Sequence, residues 1–178
     1  MALRDDRRVQ SRRGFLKTGA GLLAMTIMPS GLIVGSAWAN MPQATDPEVF
    51  ATLVQMSRDC YPHAQIEDRY YADAVSILDE AARSSAEART FLEDNVASLD
   101  RAASDAHGVR YLEVASEEDR TALLKRIETD PFFQKVRGNL VVGLYNQKEL
   151  WPVFGYEGAS ADQGGYIDRG FNDIDWLS

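Results

Sequence analysis

The residues able to do chemistry are few and scattered. His63 and His107 are the only histidines and Cys60 the only cysteine. A zinc or iron–sulfur site needs several soft donors converging on one point, and neither histidine has a second His or Cys within helical reach. His107 sits where a helix C-terminus is expected and suits the dipole there, and His63, one residue after Pro62, reads as a loop residue. Asp168, Asp173 and Asp175 crowd the C-terminal segment and suggest a calcium loop or an acid/base pair. Their spacing fails the helix-flanked twelve-residue calcium loop, and aspartates among Gly and Asn commonly form turns. The glycine steps at Gly155–Gly158 and Gly164-Gly165 follow no strand-to-helix junction, so they are not phosphate cradles. No nucleophile elbow or zinc-binding helix motif occurs. No catalytic, cofactor-binding or metal-ligating residue is predicted in the chain. Cys60 cannot form a disulfide within the chain; it is either a buried thiol or a bridge to a partner in an oxidising compartment.

The sharper signal is one of recognition. Ser11-Arg12-Arg13-Gly14-Phe15-Leu16-Lys17 follows the twin-arginine export pattern of paired Arg, an apolar dipeptide and Lys. Arg12, Arg13, Phe15, Leu16 and Lys17 are the export determinants. The uncharged run from Thr18 to Ala37 follows, diluted by four glycines and Pro29. Its length approaches the ~20 residues of a spanning helix. The Pro, the glycines and the small residues Ala37 and Ala39 instead favour a signal cleaved after Ala39. Residues 1–39 are thus read as a signal and 40–178 as the mature domain, exported to the periplasm. The twin-arginine route carries folded cargo, commonly because a cofactor is inserted first. The mature sequence offers no cofactor site, so the signal is read as serving a second polypeptide that has one.

Charge narrows the partners. The formal net charge of the whole chain is -8. Residues 1–39 hold six of the basic and two of the acidic residues, which leaves the mature part at -12. Nucleic acid is excluded as a partner, because phosphate binding needs a basic face.

The elements that position these residues read as helices. Asp46-Pro47 opens a first helix with Val49, Phe50, Leu53, Val54, Ser57 and Cys60 on one face, ending at Pro62. A second, from about Glu67 to Arg83, carries Tyr70, Tyr71, Ala74, Val75, Leu78 and Ala82. Ser84 or Ser85 caps a third reaching His107, with Phe91, Leu92, Val96, Leu99 and Ala103 inward and Gly108 as terminator. Ser116 opens a short fourth containing Ala122, Leu123, Leu124 and Ile127. Asp130-Pro131 opens a fifth whose apolar residues are Phe132, Phe133, Val136, Leu140, Val141 and Leu144. No strand pattern appears before residue 150. The fold class expected is all-α, with about five helices and an irregular Gly/aromatic tail over 146–178.

That tail has no helical period and is too aromatic for an ordinary disordered segment. Its rings must be covered, either by the helices or by another protein. Aromatic and Arg side chains dominate interface hot spots. Trp151, Phe154, Tyr156, Tyr166, Arg169, Phe171 and Trp176 are therefore the candidate partner-binding residues.

The layout resembles the gluconate 2-dehydrogenase subunit 3 family, the small subunits of membrane-bound flavoprotein dehydrogenases for sugars, sugar alcohols and sugar acids. The resemblance rests on Ser11–Lys17, on Phe132-Phe133 leading to Gly143-Leu144-Tyr145, and above all on the tail. The tail residues concerned are Phe154–Gly158, Gly164-Gly165-Tyr166, Arg169-Gly170-Phe171 and Asp175-Trp176-Leu177. It implies a large FAD-binding subunit of the glucose–methanol–choline oxidoreductase type that lacks its own signal. The small subunit escorts it through the twin-arginine translocase and then stabilises it. A multihaem cytochrome c subunit, carrying haem c, passes electrons to quinone in the membrane. On this resemblance the chain itself is not an enzyme and holds neither FAD nor haem. The competing expectation is a free-standing periplasmic enzyme or binding protein using the tail carboxylates.

Overall fold

The computed structural model describes residues 26–27, 33–34, 42–169 and 171. The residues expected to direct export and cleavage, Arg12, Arg13, Phe15, Leu16, Lys17, Ala37 and Ala39, lie outside them, as do Trp176, Asp173 and Asp175. Among the described residues five α-helices form one bundle: α1 Pro47–Cys60, α2 Asp68–Ser84, α3 Ala86–His107, α4 Glu117–Arg126 and α5 Pro131–Gly143. Three 3₁₀ helices, Tyr111–Glu113, Lys148–Phe154 and Ser160–Gln163, join or follow them. The domain over residues 42–169 is all-α. Ahead of this domain, Thr26–Ile27 and Ile33–Val34 pair antiparallel, with Thr26 opposite Val34 and Ile27 opposite Ile33.

Local chemistry fixes the helix ends. Asp46 Oδ1 accepts the Glu48 amide at 2.9 Å and Pro47 supplies a preset first turn, which starts α1. Ser85 closes α2 and opens α3 at once: its amide donates to the Ala81 carbonyl and its Oγ accepts from the Ala88 amide. One residue thereby makes the reversal between two long helices. Gly108, at φ +75°, ends α3 in the left-handed conformation that a glycine adopts without strain. Ser116 caps α4 by accepting the Asp119 amide.

α1 is the axis of the core. The expected single apolar face is too narrow, because every residue from Phe50 to Ser57 is buried while Val49 and Cys60 are only half-buried. Of its polar members, Thr52 and Ser57 donate to the Glu48 and Leu53 carbonyls at 2.9 and 2.7 Å, whereas Gln55 Oε1 is buried without a partner among the described residues. α2 packs on α1, α3 and α5, contributing Tyr71, Ala74, Val75 and Leu78. Close approach of α2 and α5 requires Gly143, where a Cβ would stand 3.1 Å from both Ala74 Cβ and Ile77 Cδ1. Val141 on α5 and Ala122 on α4 are exposed, since Leu140 and Leu123 occupy the core-facing turns beside them.

The core also contains a buried polar knot. Asp59 near the end of α1 receives Arg120 Nε and Nη2 from α4, the Tyr111 hydroxyl, and Gln55 Nε2 one turn earlier. Arg120 Nη1 closes the Val114 and Ala115 carbonyls as well. Asp79 on α2 binds the strap of residues 43–45 that leads into α1.

Candidate interaction surface

The described part of the tail turns back on the bundle and then leaves it. Beyond α5, Gln147 Nε2 donates to the Gly143 and Tyr70 carbonyls at 2.8 Å each, tying the chain to α2. Leu150 then enters the core, so the 3₁₀ helix Lys148–Phe154 lies against the helices. The absence of a helical period over Trp151–Phe154 is explained by this geometry. A 3₁₀ turn repeats every three residues, and only one apolar residue per turn has to face inward.

This short helix builds an aromatic nest with the loop after α1. Phe154 packs edge-on against His63 and tilted against Tyr145, with both centroid separations 5.2 Å. His63 Nε2 and the Tyr145 hydroxyl share a hydrogen bond of 2.7 Å. Tyr61 meets Tyr145 edge-on at 5.6 Å. Beneath them the Tyr71 hydroxyl accepts the His63 amide and donates to the Tyr61 carbonyl. Burial is the first cause that holds the Tyr145 phenol above its ordinary value, with the Tyr61 and Tyr71 oxygens adding to it. The phenol therefore stays protonated and hydrogen-bonding at neutral pH. His63 is thus more than a loop residue: it is the polar pin of a ring cluster. No group of three His, Cys, Asp or Glu among the described residues is placed to hold a metal ion.

Trp151 half-buries its indole on the bundle and donates Nε1–H to the Tyr145 carbonyl at 3.2 Å. Tyr156 packs edge-on to it at 5.1 Å. Gly155, at φ +71°, makes that return possible by turning the chain left-handed after Phe154. A second turn follows, in which Gln163 donates to the Glu157 carbonyl and the Gly165 amide to the Ser160 carbonyl. Arg169 forms an ion pair with Glu157 and closes this turn on itself. Beyond this point the rings face outward: Tyr166 is 71 % and Phe171 80 % exposed, with Ile167 exposed between them.

The six candidate residues that the structure describes therefore divide, Trp176 lying outside them. Trp151 is half-buried on this chain's own body, Phe154 packs on His63 and Tyr145 while staying 38 % exposed, Tyr156 sits on the rim, Arg169 braces the turn, and Tyr166 and Phe171 project into solvent. Asp168 is exposed in the same turn. His107 occupies the last turn of α3 and is exposed.

Cys60 is free and half-buried. Desolvation first, and then the neighbouring Asp59 carboxylate, raise its thiol to about 12, so little thiolate exists near neutrality. The Asp59–Arg120 knot was not foreseen. Its side chains are 2 % and 4 % exposed, too enclosed to meet a substrate, and they act as a structural tie. No helix among the described residues is long and apolar enough to cross a membrane. Compared with models of known families, with curated proteins and with solved structures, the chain matches none significantly.

Proposed function

We propose that this chain is the non-catalytic small subunit of a periplasmic flavoprotein dehydrogenase acting on a sugar or polyol. It escorts a signal-less FAD-binding subunit of the glucose–methanol–choline type through the twin-arginine pathway and then stabilises it, with a multihaem cytochrome c subunit as electron outlet. The observation that carries the reading is an asymmetry of exposure. A small bundle with a well-filled core ends in a segment whose first rings are seated on it and whose later rings, Tyr166 and Phe171, are bare. Large aromatic side chains are costly to leave in water and are concentrated where a partner covers them. The twin-arginine pattern at Arg12-Arg13 supports the same reading, since it is a pass for folded cargo.

In this arrangement the two halves of the tail have different tasks. The nest of His63, Tyr145, Phe154 and Trp151 fixes the root of the tail and fixes its direction of departure. Tyr166, Phe171 and Trp176 then reach the larger subunit. Substrate and flavin contacts lie on that subunit, and the small chain contributes binding energy and export.

The test is co-expression with a signal-less FAD-binding subunit of that type. Replacing Arg12 and Arg13 together by Lys leaves the dehydrogenase activity in the cytoplasm; unchanged periplasmic activity rejects the escort role. Truncation after residue 158 releases the large subunit, and a complex that survives this cut removes the distal tail from the interface.

A further inference from the structure

Three consecutive backbone amides converge on one carboxylate at the entry to the domain. Gln43, Ala44 and Thr45 each donate an N–H to Asp79, and the Thr45 hydroxyl adds a fourth donor. Bonds to a carboxylate are charge-assisted, roughly twice as strong as those between neutral groups. Asp79 and Thr45 are only 5 % and 6 % exposed, so water hardly competes for them. Ala44 packs against the core. Arg83 Nη1 also donates to the Gln43 side-chain carbonyl at 3.2 Å, which ties the first residue of the strap to α2 a second time.

The protection runs on into α1. Asp46 accepts the Glu48 amide through its side chain and the Phe50 amide through its carbonyl. A peptidase takes its substrate as an extended strand and pairs with main-chain groups on both sides of the bond it opens. A stretch whose amides are held by a buried carboxylate offers no such edge until it detaches. Side-chain exposure does not remove this barrier: Gln43 is exposed, yet its amide is held at 2.7 Å. The exposed turn of the tail is closed instead by bonds between near neighbours, from Gln163 to the Glu157 carbonyl and from the Gly165 amide to the Ser160 carbonyl.

We infer that the Asp79 clamp is a proteolytic stop: it makes Gln43 the first residue of the protected domain, so that any cut shortening the N-terminal side of this chain falls before Gln43. The cleavage expected after Ala39 lies upstream of the clamp by Asn40, Met41 and Pro42. Asp79 is a positioning residue here, acting through the strap it holds. The stop is a property of this chain alone and needs no partner, so it stands apart from the function proposed above.

The experiment digests the full chain under native conditions with proteinase K, a protease of broad specificity, and reads every new N-terminus over time by mass spectrometry. In the wild type the long-lived fragment begins at or before Gln43, while the exposed tail turn is cut early. Asp79→Ala moves the start into residues 44–49 and speeds cutting there about tenfold or more, since cleavage follows the population of the detached strap. Thr45→Val removes one donor and keeps the three amides. It gives a smaller increase at the same bonds and keeps the test decisive if Asp79→Ala does not fold. A long-lived wild-type fragment that begins within residues 44–48 overturns the inference. Wild-type starts and rates in both variants overturn it as well. So do new cuts spread evenly through α1–α5 in Thr45→Val, which would make the clamp a support of the whole fold and not a local stop.

Discussion

Asp79 Oδ1 accepts two hydrogen bonds from one residue, the amide of Thr45 at 2.8 Å and its hydroxyl at 2.7 Å, 34 positions earlier in the chain. Oδ2 takes the Gln43 amide at 2.7 Å and the Ala44 amide at 3.2 Å. A single carboxylate thus caps the strap that feeds α1 and holds it to α2. The folded domain is anchored from residue 43 onward, a few residues beyond the cleavage point expected after Ala39.

The clamp gives a pH dependence of definite sign. Burial alone would raise the Asp79 carboxyl, but the bonds from Gln43, Thr45 and Ala44 outweigh it and hold the group below its ordinary value. A depressed acid stabilises the fold fully above its unfolded value of about 4 and loses that contribution as pH falls through the folded value. Asp79→Asn, keeping one acceptor of lower charge, lowers stability by about 1–3 kcal/mol at neutral pH. Urea unfolding at about pH 6 and about pH 3 checks this: the gap between wild type and variant narrows at the lower pH.

Arg120→Met leaves the Asp59 carboxylate buried without its counter-ion, and the expected cost is about 3–5 kcal/mol in denaturant unfolding. Adding Asp59→Leu removes the charge and recovers part of that loss. Recovery is incomplete, because the Tyr111 hydroxyl and Gln55 amide lose their acceptor. Full additivity of the two single changes would contradict the two-point pairing.

The two glycines of α5 respond in opposite directions. Gly143→Val presses on the Ala74 backbone and Ile77 and destabilises by about 1–3 kcal/mol. Gly138→Ala meets nothing and stabilises the isolated chain by up to about 1 kcal/mol. Melting temperatures of the two variants distinguish a packed glycine from an open one.

Cys60 reacts slowly while the fold is intact. Raising its thiol from the ordinary 9.0 to about 12 lowers the thiolate fraction about a thousandfold. An aromatic disulfide reagent at mildly alkaline pH labels it within minutes in denaturant, and more slowly by orders of magnitude in the native chain. Equal rates would show the thiol to be open.

What lay in the sequence was whatever depends on near neighbours. Asp46-Pro47, Ser85, Gly108, Ser116 and Asp130-Pro131 mark helix ends because capping and fixed φ act over three or four residues. The apolar spacing gave five helices in their observed places, and the composition of the last thirty residues marked the tail as different. Which helix would be central was not legible: α1 is buried all round because four others surround it, and its polar Thr52, Gln55 and Ser57 disguise that in the sequence. Nor was the Asp59–Arg120 tie, whose partners stand 61 residues apart with ordinary surface-type neighbours. The tail is divided the same way. Its ring content was written in the chain, but only the turn at Gly155, the Leu150 anchor and the distant His63 and Tyr145 decided which rings are seated and which are bare. Local dihedral and capping preferences belong to short stretches of sequence, whereas burial is a property of what the rest of the chain brings alongside.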